Sequence, residues 1–235
     1  GDVYKRQPPI SYYGGKQSML KDILVLVPLH DLYTEVFAGG AALLFAKEPV
    51  RVNVINDLNG ELINFYRTIV SDFDALRLEV LKTAHSREQH DVAWFIYRHP
   101  DYFDSIKRAW AVWALSRLGF SGVFSSSFSF ARSTGKNYPR IQSAKDRFLT
   151  ELKELLEQCT IEQDDAIKIL IRYDTPTAFH FVDPPYVGSN MGHYTGMFSE
   201  EELRHLLDVL SDLQGKFLLT MYPNDLIQQQ AERYK

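Results

Sequence analysis

At 235 residues and 45% hydrophobic content, the chain is long enough to bury one full core and carry an insertion. A net charge of −4 excludes a uniformly basic nucleic-acid binder, although a local basic cleft survives that test. One cysteine, Cys159, excludes an intramolecular disulfide framework and a cysteine zinc site, and reads as a small buried hydrophobe at the end of a helix. No apolar run is long enough to span a bilayer and no signal peptide is visible, so a soluble protein of a reducing compartment is expected.

In chain order, residues 1–9 carry no periodicity and end in Pro8-Pro9, the pattern of a disordered lead-in. Ser11-Tyr12-Tyr13-Gly14-Gly15-Lys16 follows, then an amphipathic helix over about residues 17–27. Residues 32–37 form a first strand, which runs into Ala38-Gly39-Gly40 and an Ala/Leu-rich helix over 41–47. A second strand, 50–56, ends at Asp57 and precedes a helix through Leu62, Phe65, Tyr66 and Ile69. From about 71 to 158 the strands stop and helical patterns dominate, including 102–118 with Trp110 and Trp113. Alternation resumes at 160–163, 166–173 and 178–183. Ser199 and Glu202 form a capping box opening a helix to 213, residues 216–222 make a last strand, and a helix begins near Asp225. Such βα alternation implies a mainly parallel sheet, here split by a helical insertion.

Three places carry chemistry. Glycines after the first strand let a backbone approach a ligand at a helix N-terminus, but Phe37-Ala38-Gly39-Gly40 is not a dinucleotide fingerprint, and a plain tight turn is an equal reading. Asp57 ends the second strand at about the separation where an acid meets ribose hydroxyls; a helix N-cap is the alternative. Gly14-Gly15-Lys16 lacks the spaced upstream glycine of a P-loop, and Gln17 follows the lysine, so a P-loop kinase or ATPase is not expected. Asp165-Ala166, after the third strand, lies at the same sheet edge, with a helix cap again the plainer role.

The strand Phe179-His180-Phe181-Val182 stops at Pro184-Pro185, which leaves Asp183 at a carboxyl edge where α/β sheets bind ligands. Asp183-Pro184-Pro185-Tyr186 resembles the Asp-Pro-Pro-Tyr motif of amino-group DNA methyltransferases. Methyl transfer to an exocyclic amine needs positioning and a nitrogen lone pair withdrawn from ring conjugation. A carboxylate and a proline carbonyl can accept the two amino hydrogens, and a tyrosine face can stack on an extruded base.

With these residues in order, the chain resembles the Dam-like (D12-class) DNA adenine N6-methyltransferases. Tyr12-Tyr13-Gly14-Gly15-Lys16 matches the family's aromatic-x-Gly-Gly-Lys element, Phe37-Ala38-Gly39-Gly40 its glycine turn, and Asn56-Asp57-Leu58-Asn59 its ribose-binding acid. The resemblance implies a Rossmann-like α/β methyltransferase sheet with a mostly helical target-recognition insertion. The AdoMet-binding part would be 10–70, the insertion 71–158 and the catalytic part 159–235. It implies S-adenosylmethionine (AdoMet) as methyl donor and no metal. Tyr12, Lys16, Phe37, Gly39, Gly40, Asp57, Asp165, Ala166 and Asp183 would hold the donor; Asp183, Pro184, Pro185 and Tyr186 would face the adenine. The partner would be double-stranded DNA with a flipped adenine, met by Arg117, Arg132, Lys136, Asn137, Arg140 and Tyr194. Trp94, Phe95, Trp110 and Trp113 are expected in the core. The family continues past the helix after Tyr222 with further strands, so a C-terminally truncated sheet is expected. A monomeric, cytoplasmic bacterial or phage-encoded enzyme fits these features. Transfer to cytosine N4 or to RNA adenine, or an inactive DNA-binding fragment, are the alternatives.

Overall fold

The apolar run Ala178–Val182 forms a strand buried at every position, as a central parallel strand covered on both faces must be. In the computed structural model, which describes residues 6–12, 16–120, 124–130, 137–185, 198–223 and 225–233, this strand is β4. The others are β1 (Leu32–Glu35), β2 (Val52–Asn56), β3 (Cys159–Glu162) and β5 (Lys216–Leu219). All pairings are parallel, in the order β3-β2-β1-β4-β5. Glu35 lies in register with Ile55 on one side and Phe181 on the other, so the turns after β1, β2 and β4 leave the sheet at one level. The order reverses between β1 and β4, the switch point where a crevice opens at the strand ends.

Helices cover both faces. In chain order they are α1 (Leu20–Leu24), α2 (Ala42–Ala46), α3 (Gly60–Ser71), α4 (Phe73–Lys82), α5 (Arg87–Arg98), α6 (Ser105–Leu118), α7 (Asn137–Asp146), α8 (Thr150–Leu156), α9 (Ala166–Arg172), α10 (Glu200–Asp212) and α11 (Asp225–Arg233). The period-2 alternation of the strands sorts the core. Tyr33, Ile55, Phe179 and Phe181 face α2, α3 and the helices after residue 71, whereas Val36, Val54 and Val182 pack with Ile169 and Leu170 of α9 and Leu206 and Leu210 of α10. α6 is buried nearly all round from Ala109 to Leu118 and lies between α3 and α5, so the insertion shares one continuous core with the sheet. Each large side chain buried there contributes ~1.5–3 kcal/mol.

Several boundaries move for local reasons. The helix expected over 17–27 is a 3₁₀ turn, Lys16–Met19, followed by α1, which stops short of Pro28 because the residue before a proline disfavours helix. The helix expected from 102 starts at Ser105, where Asp104 caps it through the Lys107 N–H. The last strand ends at Leu219, not 222. Cys159 opens β3 instead of closing a helix and is half-buried. Phe95, expected in the core, is 56% exposed, whereas Trp110 and Trp113 are buried. Pro8 and Pro9 are buried, so this part of the lead-in is docked. Among the described residues, no helix is long and apolar enough to cross a membrane.

Candidate active site

Asp183 follows β4 directly, and its carboxylate is held from two directions. Lys16 Nζ lies 2.7 Å from Oδ1 and 2.8 Å from Oδ2, and the Thr220 hydroxyl donates to Oδ1 at 2.6 Å. Burial pushes the Asp183 carboxyl above its ordinary range; Lys16 and Thr220 pull part of that shift back. Pro184 is buried and Pro185 half-buried, which keeps the chain after the acid stiff. Thr220 gave no sequence signal: it is a lone hydroxyl one residue past β5, brought in because the Thr220 N–H donates to the Val182 carbonyl at 3.0 Å.

The glycine turn sits beside it. Gly39 has φ +48° and Ala41 φ +50°, both left-handed, and a Cβ at Gly39 would fall 2.9 Å from the Tyr12 ring. Only glycine lets Tyr12 cover the turn this closely. The Gly39 N–H donates to Asp57 Oδ2 at 3.0 Å, and the Tyr66 hydroxyl donates to the Gly39 carbonyl at 2.6 Å. Asp57 is buried, and its Oδ1 accepts the Asn59 N–H at 2.9 Å. It does not cap α3; Asn59 does, accepting from Glu61 and Leu62. Phe37 is half-buried, edge-on to Phe198 at 6.4 Å.

Asn56 carries more of this edge than its place in the ribose-acid element suggested. Its side-chain amide donates to the Val36 and Asp164 carbonyls at 3.0 and 2.9 Å and accepts the Asp164 N–H at 2.9 Å. One side chain thus ties together the ends of β1, β2 and β3. Asp165 caps α9 through Ile167 and Lys168, with its body exposed, while Ala166 is buried behind it.

Behind the turn lies an acid that carries no sequence signal of its own. Glu35 Oε2 accepts from the Tyr33 hydroxyl at 2.9 Å and the Leu44 N–H at 3.1 Å, so it fastens β1 to α2 across the glycine turn. Burial raises its pKa to about 7, with Asp183 adding to the rise and its two donors opposing it. Lys47 packs over the Tyr33 ring at 4.2 Å, and burial lowers its pKa to about 8.

The expected DNA contacts divide. Arg117 is half-buried, donating to the Pro9 carbonyl at 2.8 Å, the Ser11 hydroxyl at 2.9 Å and the Pro8 carbonyl at 3.5 Å. These bonds engage, within the protein, a guanidinium that the sequence places at a DNA phosphate. Arg140 is exposed on α7, and Arg147, which no motif singles out, is exposed just beyond it. Burial lowers the Arg117 pKa to about 10, and the charges of Arg147 and Arg140 push the same way. Phe120 and Phe130 are 64% and 54% exposed near a short bridge between Gly119 and Phe128, and the Arg87 guanidinium lies 5.6 Å over the Phe130 ring. Tyr186, Arg132, Lys136 and Tyr194 lie outside the described residues, as does the side chain of Asn137. Among the described residues, no three His, Cys, Asp or Glu side chains gather as a metal site would require.

Residues 12–234 match the family model described as D12 class N6 adenine-specific DNA methyltransferase. The chain is 29% identical to the Type II methyltransferase M1.LlaDCHI of Lactococcus lactis subsp. cremoris, over 97% of this chain and 84% of that one. It is 26% identical to the retron Ec67 DNA adenine methylase of Escherichia coli, over 86% and 71%. It is 24% identical to the Type II methyltransferase M.CviBI of Paramecium bursaria Chlorella virus NC1A, over 97% and 87%.

Proposed function

Because the chain belongs to the D12 class of N6 adenine-specific DNA methyltransferases, we propose that its switch-point crevice binds AdoMet beside an adenine flipped out of duplex DNA. The observation that carries this is the shared edge: Asp183 held by Lys16 and Thr220, next to a glycine turn braced by Asp57. The donor fits these residues. Gly39, in a left-handed conformation, turns the chain under the Tyr12 ring, and Asp57 sets a buried carboxylate just past the end of β2, an acceptor of the kind a ribose diol requires. Tyr12, Lys16, Phe37, Gly39, Gly40, Asp57 and Ala166 would hold the donor, with Asp165 at the rim. AdoMet supplies an electrophilic methyl on a sulfonium.

The protein supplies position and a proton acceptor. Asp183 and the Pro184 carbonyl would each accept one hydrogen of the N6 amine, drawing the nitrogen lone pair out of the ring system. A carboxyl raised by burial is also suited to take the proton that leaves once nitrogen has gained the methyl. Lys16 and Thr220 oppose that rise and aim the carboxylate. Tyr186 would stack on the flipped base. Residues 71–158 would read the target, with Arg140 and Arg147 on phosphates and exposed Phe120 and Phe130 against bases. Lys16, Asp57, Asp183 and Thr220 come from one copy of the chain, which supports a monomeric enzyme.

Digesting treated duplex DNA to nucleosides tests the reaction. N6-methyladenine is the expected product; N4-methylcytosine, or methylation of RNA alone, would contradict it.

A further inference from the structure

Arg117 presents a physical puzzle. The side chain is half-buried, and among the described residues none of the guanidinium's partners is a carboxylate; they are two proline carbonyls and a serine hydroxyl. Its Nε is buried with no hydrogen-bond partner among the described residues. The like charges of Arg140 and Arg147 add to the cost of keeping it charged there. A plain fastener between two segments would not require a cation in that position.

What the guanidinium holds explains the arrangement. Its three acceptors lie at Pro8, Pro9 and Ser11, the segment that leads into Tyr12. Tyr12 roofs the glycine turn, with its ring 2.9 Å from where a Gly39 Cβ would lie and its own Cβ 3.3 Å from the same position at Gly40. The Ile10 carbonyl borders Gly40 as well. Four residues beyond Tyr12, Lys16 reaches Asp183. The insertion supports this wall from a second side: Phe124, fully buried, meets the Tyr12 ring edge-on at 5.4 Å and the Tyr97 ring at 5.5 Å. Tyr97 in turn accepts from Asn59 Nδ2 at 2.9 Å, two residues from Asp57.

We propose that Arg117, from the target-recognition insertion, is a positioning residue for AdoMet: it holds segment 8–12 so that Tyr12 closes over the glycine turn. The proposal rests on the reading of Tyr12, Gly39 and Asp57 as the donor site. It makes the affinity for AdoMet, measured without DNA, depend on a side chain that belongs to the insertion. A phosphate-binding role for Arg117 makes the opposite claim, with an effect on DNA binding alone.

The test is calorimetric titration of AdoMet into the full chain without DNA, for wild type, Arg117→Met, Arg117→Lys, Ser11→Ala and Asp57→Ala, with a melting curve for each. Removal of the charge-assisted bonds predicts AdoMet binding about tenfold weaker or more in Arg117→Met, a smaller loss in Ser11→Ala, and partial recovery in Arg117→Lys. The loss should appear in the KM for AdoMet more than in kcat. A lowered melting temperature with unchanged AdoMet affinity would overturn the proposal, as would a weakened, less salt-dependent DNA affinity with unchanged AdoMet binding. If Arg117→Met does not fold, unchanged affinity in both Ser11→Ala and Arg117→Lys would overturn it. Asp57→Ala separates the two levels. Lost binding there beside unaffected Arg117 variants removes only the role of Arg117, whereas retained binding there removes the assignment of the site.

Discussion

The Thr220 hydroxyl donates to Asp183 Oδ1 at 2.6 Å, across 37 positions of sequence. It comes from the turn after β5, and Lys16 comes from the opposite end of the chain, so the carboxylate is aimed by two elements that only the fold brings together. Thr220→Val keeps the shape and removes the donor. We expect kcat to fall about tenfold or more, with Thr220→Ser restoring most of it. Because the hydroxyl lowers the Asp183 pKa, its loss moves that pKa further up. Activity that needs the ionised carboxylate is lost as pH falls through this value, so the acid limb of the pH–rate profile should shift to higher pH. An unmoved limb would contradict the assignment.

Glu35 makes stability depend on pH in the reverse of the usual carboxylate sense. Its folded pKa, about 7, lies above its value in the unfolded chain. Between about pH 4.5 and 7 the native state therefore holds a proton that the unfolded state has released. The contribution is fully present below that range and is lost as pH rises through it, by a few kcal/mol. Glu35→Gln cannot titrate, so the difference in unfolding free energy between wild type and variant should change across that window and level off above it. A pH-independent difference would show that Glu35 is ionised throughout.

Gly39→Ala tests the roof over the turn. An alanine at φ +48° costs about 1–2 kcal/mol, and its Cβ would displace Tyr12. Weaker AdoMet binding and a lower melting temperature are expected together. Normal binding would show that Tyr12 does not need its present place.

Arg140→Ala and Arg147→Ala probe the exposed cations of segment 71–158. Removing a cation that neutralises one phosphate should weaken DNA binding similarly across sequences and reduce the salt-dependence slope by about 0.9. AdoMet affinity without DNA should not change. A variant whose slope is unaltered is not touching phosphate.

The strand pattern made most of the sheet readable. Apolar β4 ending at two prolines announced both a buried strand and the acid at its end, and Ser199 with Glu202 announced the box that opens α10. Local chemistry of that kind is written in neighbouring residues. What stayed hidden depends on distant ones. Thr220 is one hydroxyl among many until β5 pairs with β4, and Asn56 became a clamp only when β3 brought Asp164 to it. Arg117 looked like a surface cation because burial of the Pro8-Pro9 segment has no sequence periodicity to reveal it. Glu35 looked like part of a strand end, since its value comes from the Leu44 N–H across the turn.

The most direct measurement is transfer of labelled methyl from AdoMet to adenine-containing duplex DNA by wild type and Asp183→Ala, side by side. Removing a positioned carboxylate that orients the amine and accepts its proton predicts a loss of about 10²-fold or more, with wild-type label recovered as N6-methyladenine. Equal labelling by the two proteins would contradict the central role given to Asp183.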